Sequence, residues 1–281
     1  MTVLDVGLVN NMPDGALEAT ERQFLTLLNE AADNGISVRL SLFALPGVPR
    51  MDLGRHHLSS YNRIGDLWAR SLDGLIVTGT EPRAANLKDE PYWADLARLV
   101  EWAMQNSSSA IWSCLAAHAA VLHMDGIPRC RLLEKRFGIF ECVQANEHFL
   151  TAGAPQRVRI PHSRWNDLRE DELKAASYDI LRRFEEGGVD TFVKQGKSLF
   201  VFFQGHPEYE ADTLLREYRR DMKRFLGREI EVQPSMPSGH PHPSGVTTNG
   251  WRSDAVRFYR NWLSYLAERK GRTLQSLPGR A

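Results

Sequence analysis

The 281-residue sequence predicts an α/β fold: a mostly parallel, doubly wound sheet flanked by helices, with a β-hairpin in the C-terminal half. Three observations carry this reading. Short β-rich runs alternate with helical patterns through the first half of the chain, the order expected of a parallel sheet with crossover helices. Several strand candidates are continuous apolar runs, as strands covered on both faces are. An apolar content of 42% beside 25% charged residues is enough to fill a sizeable core.

The elements follow in order. Residues 3–9 read as a strand and 17–32 as a helix, with Phe24, Leu25, Leu27 and Leu28 on one side. Residues 36–42 form the next strand, and the short apolar strand 74–77 runs into the turn Thr78-Gly79-Thr80. A helix over 92–105 carries Leu96, Leu99, Val100 and Met104 at helical spacing. Strand 109–113 leads into an Ala-rich helix, 115–123. In the second half, 179–184, 188–193 and 198–203 are strands, the last two joined in a hairpin through Lys194-Gln195-Gly196-Lys197 and expected at one end of the sheet. A charged helix covers 211–225, and a final helix 251–268 carries Phe258, Trp262, Leu263 and Leu266. Residues 1–270 are expected to form one domain, with 232–250 as an irregular loop insertion and 271–281 as a flexible tail.

Composition excludes several classes. Lys plus Arg (35) balance Asp plus Glu (35), so no basic footprint for nucleic acid is present. No apolar run approaches the length of a membrane span. Residues 1–20 carry Asp5, Asp14 and Glu18 and no basic cluster ahead of an apolar run, so no secretory signal is expected. Three cysteines in so long a chain are not a disulfide scaffold. A reduced, cytoplasmic protein is expected.

The sharpest chemical signal is Ile111-Trp112-Ser113-Cys114-Leu115-Ala116-Ala117. A cysteine between a buried strand and a helix start is exposed at the sheet's carboxyl edge, where ligands bind in such folds. The helix N-terminus favours its thiolate, and free N–H groups of the first turn can receive an oxyanion. A small buried core cysteine is the other reading of that segment. A nucleophilic cysteine needs a base, and His206-Pro207-Glu208 follows the strand 198–203. Proline keeps His206 extended, so residues 206 and 208 point to one side, and Glu208 can orient one ring nitrogen while the other faces the thiol. A turn with two exposed polar residues is the alternative, and the two signals at strand ends reinforce each other.

Other candidates are weaker on spacing. His56, His57, His240 and His242 lack a metal-ligand framework, so no metal is expected. His118, four residues after Cys114, fits a packed helical histidine, and Cys130 and Cys142 read as bystanders. Arg220, Lys135 and His162-Ser163-Arg164 decide nothing by themselves.

Taken together, the ordered blocks resemble the homoserine O-acyltransferases, cysteine enzymes whose fold is similar to class I glutamine amidotransferases. The resemblance rests on Asn11-Met12-Pro13-Asp14, Thr20-Glu21-x-Gln23-Phe24, Val77-Thr78-Gly79, Tyr92-Trp93 and Gly126-Ile127-Pro128. It continues through Pro161-His162-Ser163-Arg164, Gly205-His206-Pro207-Glu208-Tyr209, Glu217-Tyr218-x-Arg220-Asp221, Trp251-Arg252-Ser253 and Asn261-Trp262-Leu263. It implies Cys114 as acyl-thioester, His206 as general base, Glu208 as its support, and Lys135, Ser163 and Arg220 as substrate-binding residues. It also implies acyl-CoA as co-substrate with no cofactor, L-homoserine as acceptor, the first committed step of methionine biosynthesis, and a homodimer.

The chain departs from the family pattern. Leu115 and His118 stand where the family has Trp and Gln, and Arg83 occupies the position that discriminates acyl donors. A buried Arg83 would pair with the free carboxylate of a succinyl group and cost stability if left unpaired, which favours succinyl over acetyl. The opposite follows if Arg83 faces solvent. The rival readings are acyl transfer to another hydroxy amino acid such as serine, a glutamine amidotransferase-like hydrolase, and a non-catalytic family member.

Overall fold

The computed structural model describes residues 1–33, 35–239 and 249–276. Nine strands form one sheet in the order β2-β1-β3-β4-β9-β8-β7-β5-β6. Strands β1 (Thr2–Val9), β2 (Ile36–Phe43), β3 (Leu72–Val77), β4 (Ser107–Ser113) and β9 (Leu199–Phe203) pair in parallel. From β9 the sheet continues antiparallel through β8 (Val189–Gln195), β7 (Asp179–Arg183), β5 (Cys130–Gln144) and β6 (Arg157–Asp167).

Helices cover both faces of the sheet, the α/β doubly wound arrangement expected. Strand residues alternate between two cores, as a side-chain period of two requires. On one face Ala110, Trp112, Phe200 and Phe202 pack with Leu96 and Leu99 of α4 (Trp93–Asn106) and Ala116 and Ala120 of α5 (Leu115–Asp125). On the other, Ile111, Val201 and Phe203 pack with Phe24 and Leu27 of α1 (Leu17–Ala31) and Phe258, Trp262 and Leu266 of α8 (Arg252–Ser276). Three shorter helices, α2 (Asp52–His57), α3 (Ile64–Trp68) and α6 (Glu170–Ala175), and the longer α7 (Thr213–Leu226) complete the set. No helix among the described residues is long and apolar enough to cross a membrane.

The structure corrects four details. The hairpin β8–β9 does not end the sheet; it joins the parallel half to an antiparallel half that contains two further strands, β5 and β6. Leu25 and Met104, read as core-facing, are exposed, because the buried stripes of α1 and α4 are narrower than their apolar content. Helix α8 continues to Ser276, beyond the expected end of order. Residues 240–248 and 277–281, part of the expected loop and tail, lie outside the described residues.

Candidate active site

Two neighbouring strand ends make the site. Ser113 at the end of β4 pairs with Phe203 at the end of β9, and the Cys114 N–H donates to the Phe203 carbonyl at 2.7 Å. Cys114 is therefore the first residue beyond one strand and His206 the third beyond its neighbour. Cys114 has φ 53° and ψ −113°, a left-handed conformation that costs a non-glycine residue about 1–3 kcal/mol. The reversal lifts its side chain out of the sheet and begins α5, so the thiol sits at a helix N-terminus, half-buried on the wall of a cavity of about 1380 Å³.

His206 is buried against this thiol. Its Nδ1 lies 2.8 Å from Glu208 Oε1, which leaves Nε2 available to the Cys114 thiol, whose charge acts on the ring. Burial alone would lower the pKa of the ring, but the charges of Glu208 and Cys114 outweigh it and hold the imidazole well above its ordinary value of 6.5. The ring of Tyr209 stacks on His206 at 4.2 Å, and the His206 backbone N–H donates to the Pro161 carbonyl at 2.8 Å. Gly205 makes this placement possible: a Cβ there would stand 2.6 Å from Ile160 and 2.8 Å from both Asp190 and His162.

The oxyanion side is built from backbone. The first N–H groups of α5 have no carbonyl one turn back. Gly79, just after β3, approaches so closely that a Cβ on it would lie 2.9 Å from the Leu115 nitrogen. Two loops thus converge their main chains beside the sulfur, where N–H donors can stabilise a tetrahedral oxyanion.

A polar cluster faces the catalytic residues across the cavity. On α7, Glu217, Arg220, Asp221 and Arg224 recur at helical spacing and share one face, and all four line the cavity. Ser163, on β6, donates to Glu217 Oε2 at 2.5 Å, and the Tyr209 hydroxyl donates to Glu217 Oε1 at 2.5 Å. Lys135, on β5, and Arg220 both bond Asp221, at 3.1 and 2.8 Å. Burial raises the Asp221 pKa, but the two cations outweigh it and the carboxyl stays below its usual range. The structure therefore brings Cys114, His206, Glu208, Lys135, Ser163 and Arg220 to one cavity. Sequence reasoning missed Glu217, although its position three residues before Arg220 places it on the same helix face.

Arg83 does not fit its expected setting. It borders the cavity but is exposed, so the lean toward succinyl that a buried cation would have given reverses at this residue. His118 is buried, with Nε2 2.8 Å from Gln204 Oε1, and burial pushes its pKa down to about 4. His56 is exposed and His57 pairs with Glu21, both away from the cavity, while His240 and His242 lie outside the described residues. Cys130 is exposed and Cys142 is buried. Cys142 groups with His162 and Asp190, their ligand atoms within 4.8 Å of one another. His162 Nδ1 accepts from Arg164 Nε at 3.3 Å, which puts the ring proton on Nε2, 3.2 Å from Asp190. That tautomer suits a neutral imidazole packed behind Gly205 better than a metal ligand.

Known proteins resemble this chain in sequence and in fold. The family model described as homoserine O-succinyltransferase matches residues 1–272. A homoserine O-succinyltransferase of Rhodopseudomonas palustris is 52% identical over 84% of the chain and 71% of the relative. One of Methylorubrum extorquens is 44% identical over 95% and 88%. Among solved structures, a glutamine amidotransferase of Methylobacillus flagellatus superposes with a TM-score of 0.62 at 15% identity, covering 94% of this chain and 95% of that one. A glutamine amidotransferase of Thermotoga maritima gives 0.59 at 12%, covering 95% and 100%. These two likenesses concern the fold.

Proposed function

The chain belongs to the homoserine O-succinyltransferase family, and from that premise we propose that it moves the succinyl group of succinyl-CoA to the hydroxyl of L-homoserine through a thioester on Cys114. The observation that carries the mechanism is the placement on one cavity of Cys114, at a helix start, and of a His206 whose Nδ1 is held by Glu208.

The raised pKa of His206 favours a thiolate–imidazolium pair. The thiolate attacks the donor's carbonyl carbon, and the oxyanion is received by the main chain at Leu115 and Gly79. The bond to the coenzyme sulfur breaks, and His206 gives its proton to the departing thiolate. Coenzyme A leaves and homoserine enters. Its carboxylate fits the Arg220–Lys135 pair, and its ammonium fits Glu217, the neighbouring carboxylate on the same helix face. Neutral His206 then takes the hydroxyl proton as the oxygen attacks the thioester. The Cys114–acyl bond breaks, and the thiolate–imidazolium pair returns. Acyl-CoA serves as co-substrate, no metal takes part in these steps, and the product is the first committed intermediate of methionine biosynthesis.

Supplying the enzyme with homoserine or serine, and with succinyl-CoA or acetyl-CoA, and weighing the products tests this reading. O-Succinylhomoserine is expected to form fastest, with parallel double-reciprocal lines. Exclusive O-acetyl or O-acylserine products would overturn the assignment.

A further inference from the structure

The turn that carries His206 and Glu208 also fixes a third side chain. The Tyr209 backbone N–H donates to the His206 carbonyl at 3.2 Å and closes a four-residue turn over His206-Pro207-Glu208-Tyr209. The Tyr209 carbonyl in turn accepts from Trp251 Nε1 at 2.9 Å. The first and last residues of the turn lie side by side, and their rings stack with centroids 4.2 Å apart and planes 15° from parallel. Tyr209 is buried and packs with Phe137, Ile139, Leu214 and Trp251, which keeps its ring in this place. The far end of the same ring reaches α7, where the hydroxyl donates to Glu217 Oε1 at 2.5 Å, while Ser163 donates to Oε2. Burial and the charges of Glu217 and Glu208 hold the phenol well above its ordinary pKa, so it stays a donor to Glu217.

Two kinds of chemistry meet on this one side chain. An aromatic face against the imidazole favours its charged form and fixes its plane. Two neutral hydroxyls on Glu217 orient the carboxylate without cancelling its charge, which leaves that charge for a ligand in the cavity that Glu217 lines. We propose that Tyr209 is a positioning residue for both groups, its ring holding His206 for the acyl transfer and its hydroxyl holding Glu217 for the acceptor's ammonium. The inference rests on the acyl transfer proposed above. Ring and hydroxyl can be removed separately, so the two roles have different kinetic signatures.

Rapid-quench mass measurements on two variants test it. Tyr209→Phe keeps the ring and loses the hydroxyl. Its Cys114 should be acylated by succinyl-CoA within about threefold of the normal rate, and should lose the acyl group to water, an acceptor without an ammonium, equally normally. Transfer to homoserine should fall about 10-fold in kcat/KM, as loss of a hydrogen bond to a charged group predicts. Tyr209→Leu, or Tyr209→Met if that chain does not fold, loses the ring as well and should also slow the acylation by about 10²-fold. A Tyr209→Phe enzyme in which all three rates fall in parallel, or none falls, would overturn the role of the hydroxyl. A folded Tyr209→Leu or Tyr209→Met enzyme with normal acylation would overturn the role of the ring. If the unaltered enzyme forms no acyl-Cys114 from any donor, the proposed function itself fails, a distinct result.

Discussion

Gly205→Ala is the perturbation whose effect the structure defines most closely. A methyl at this position would meet Ile160 Cγ2 at 2.6 Å and both Asp190 Oδ1 and His162 Cε1 at 2.8 Å, and all three side chains are buried. Ordinary contact begins near 3.4 Å, so about 0.8 Å of movement is needed against the 2.6 Å contact. None of the neighbours is the free end of a flexible side chain, so the Gly205 backbone must give way and carry His206 with it. Overpacking of this kind costs about 1–3 kcal/mol, which a fold of ordinary stability survives. In a protein of this length each kcal/mol lowers Tm by roughly 2–4 °C. Misplacement of a catalytic group by about 1 Å costs roughly 10²-fold in rate. The expected result is a folded protein, melting a few degrees lower, whose Cys114 is acylated about 100-fold more slowly in rapid-quench mass measurements. Gly65→Ala, whose methyl meets nothing within 4 Å, is the control and should behave as the unaltered enzyme. Acylation within threefold of normal in Gly205→Ala would refute the claim that this close approach positions His206.

Three more predictions follow from the same geometry. Glu208→Gln keeps the shape and removes the charge that, with Cys114, holds the His206 pKa up; acylation should fall by about 10²–10⁴-fold. The proton on His206 contributes stability that is complete below pH 6.5 and lost as pH rises through the raised pKa; in Glu208→Gln that loss should move to lower pH, followed by His206 ring NMR and thermal melts. Arg220→Gln should raise KM for homoserine by about 10- to 100-fold while leaving the first-half acylation by donor unchanged, as loss of a charge-assisted hydrogen bond predicts. Iodoacetamide with peptide mapping should label Cys114 first and Cys130 more slowly, and should reach Cys142 only after unfolding, because that thiol is buried and its pKa is pushed far up by burial.

Much of the parallel half was legible because its strands are uninterrupted apolar runs, and Cys114 stood out because it separates such a run from an Ala-rich helix. Strands β5 and β6 were not, since Arg131, Leu133, Glu134, Lys135 and Arg136 are residues that favour helices and lie on a partly exposed surface, so their period is masked. The pairing of the catalytic residues was expected from chemistry, but its cause is strand order. Only the adjacency of β4 and β9 brings positions 114 and 206 together, and adjacency is not written in either segment. Arg83 lines the cavity, but its exposure was not legible, because it is set by the path of the loop after β3. Glu217 was overlooked because its role depends on Ser163 and Tyr209 reaching it from other elements.

The central claim is most directly tested by mixing the enzyme with succinyl-CoA in the absence of any acceptor and locating the added mass by peptide mapping. One succinyl group is expected, on the peptide bearing Cys114, released as an ester when homoserine is added and absent from Cys114→Ala. A competent enzyme that carries no acyl group at Cys114, or a Cys114→Ala variant that still turns over, would contradict it.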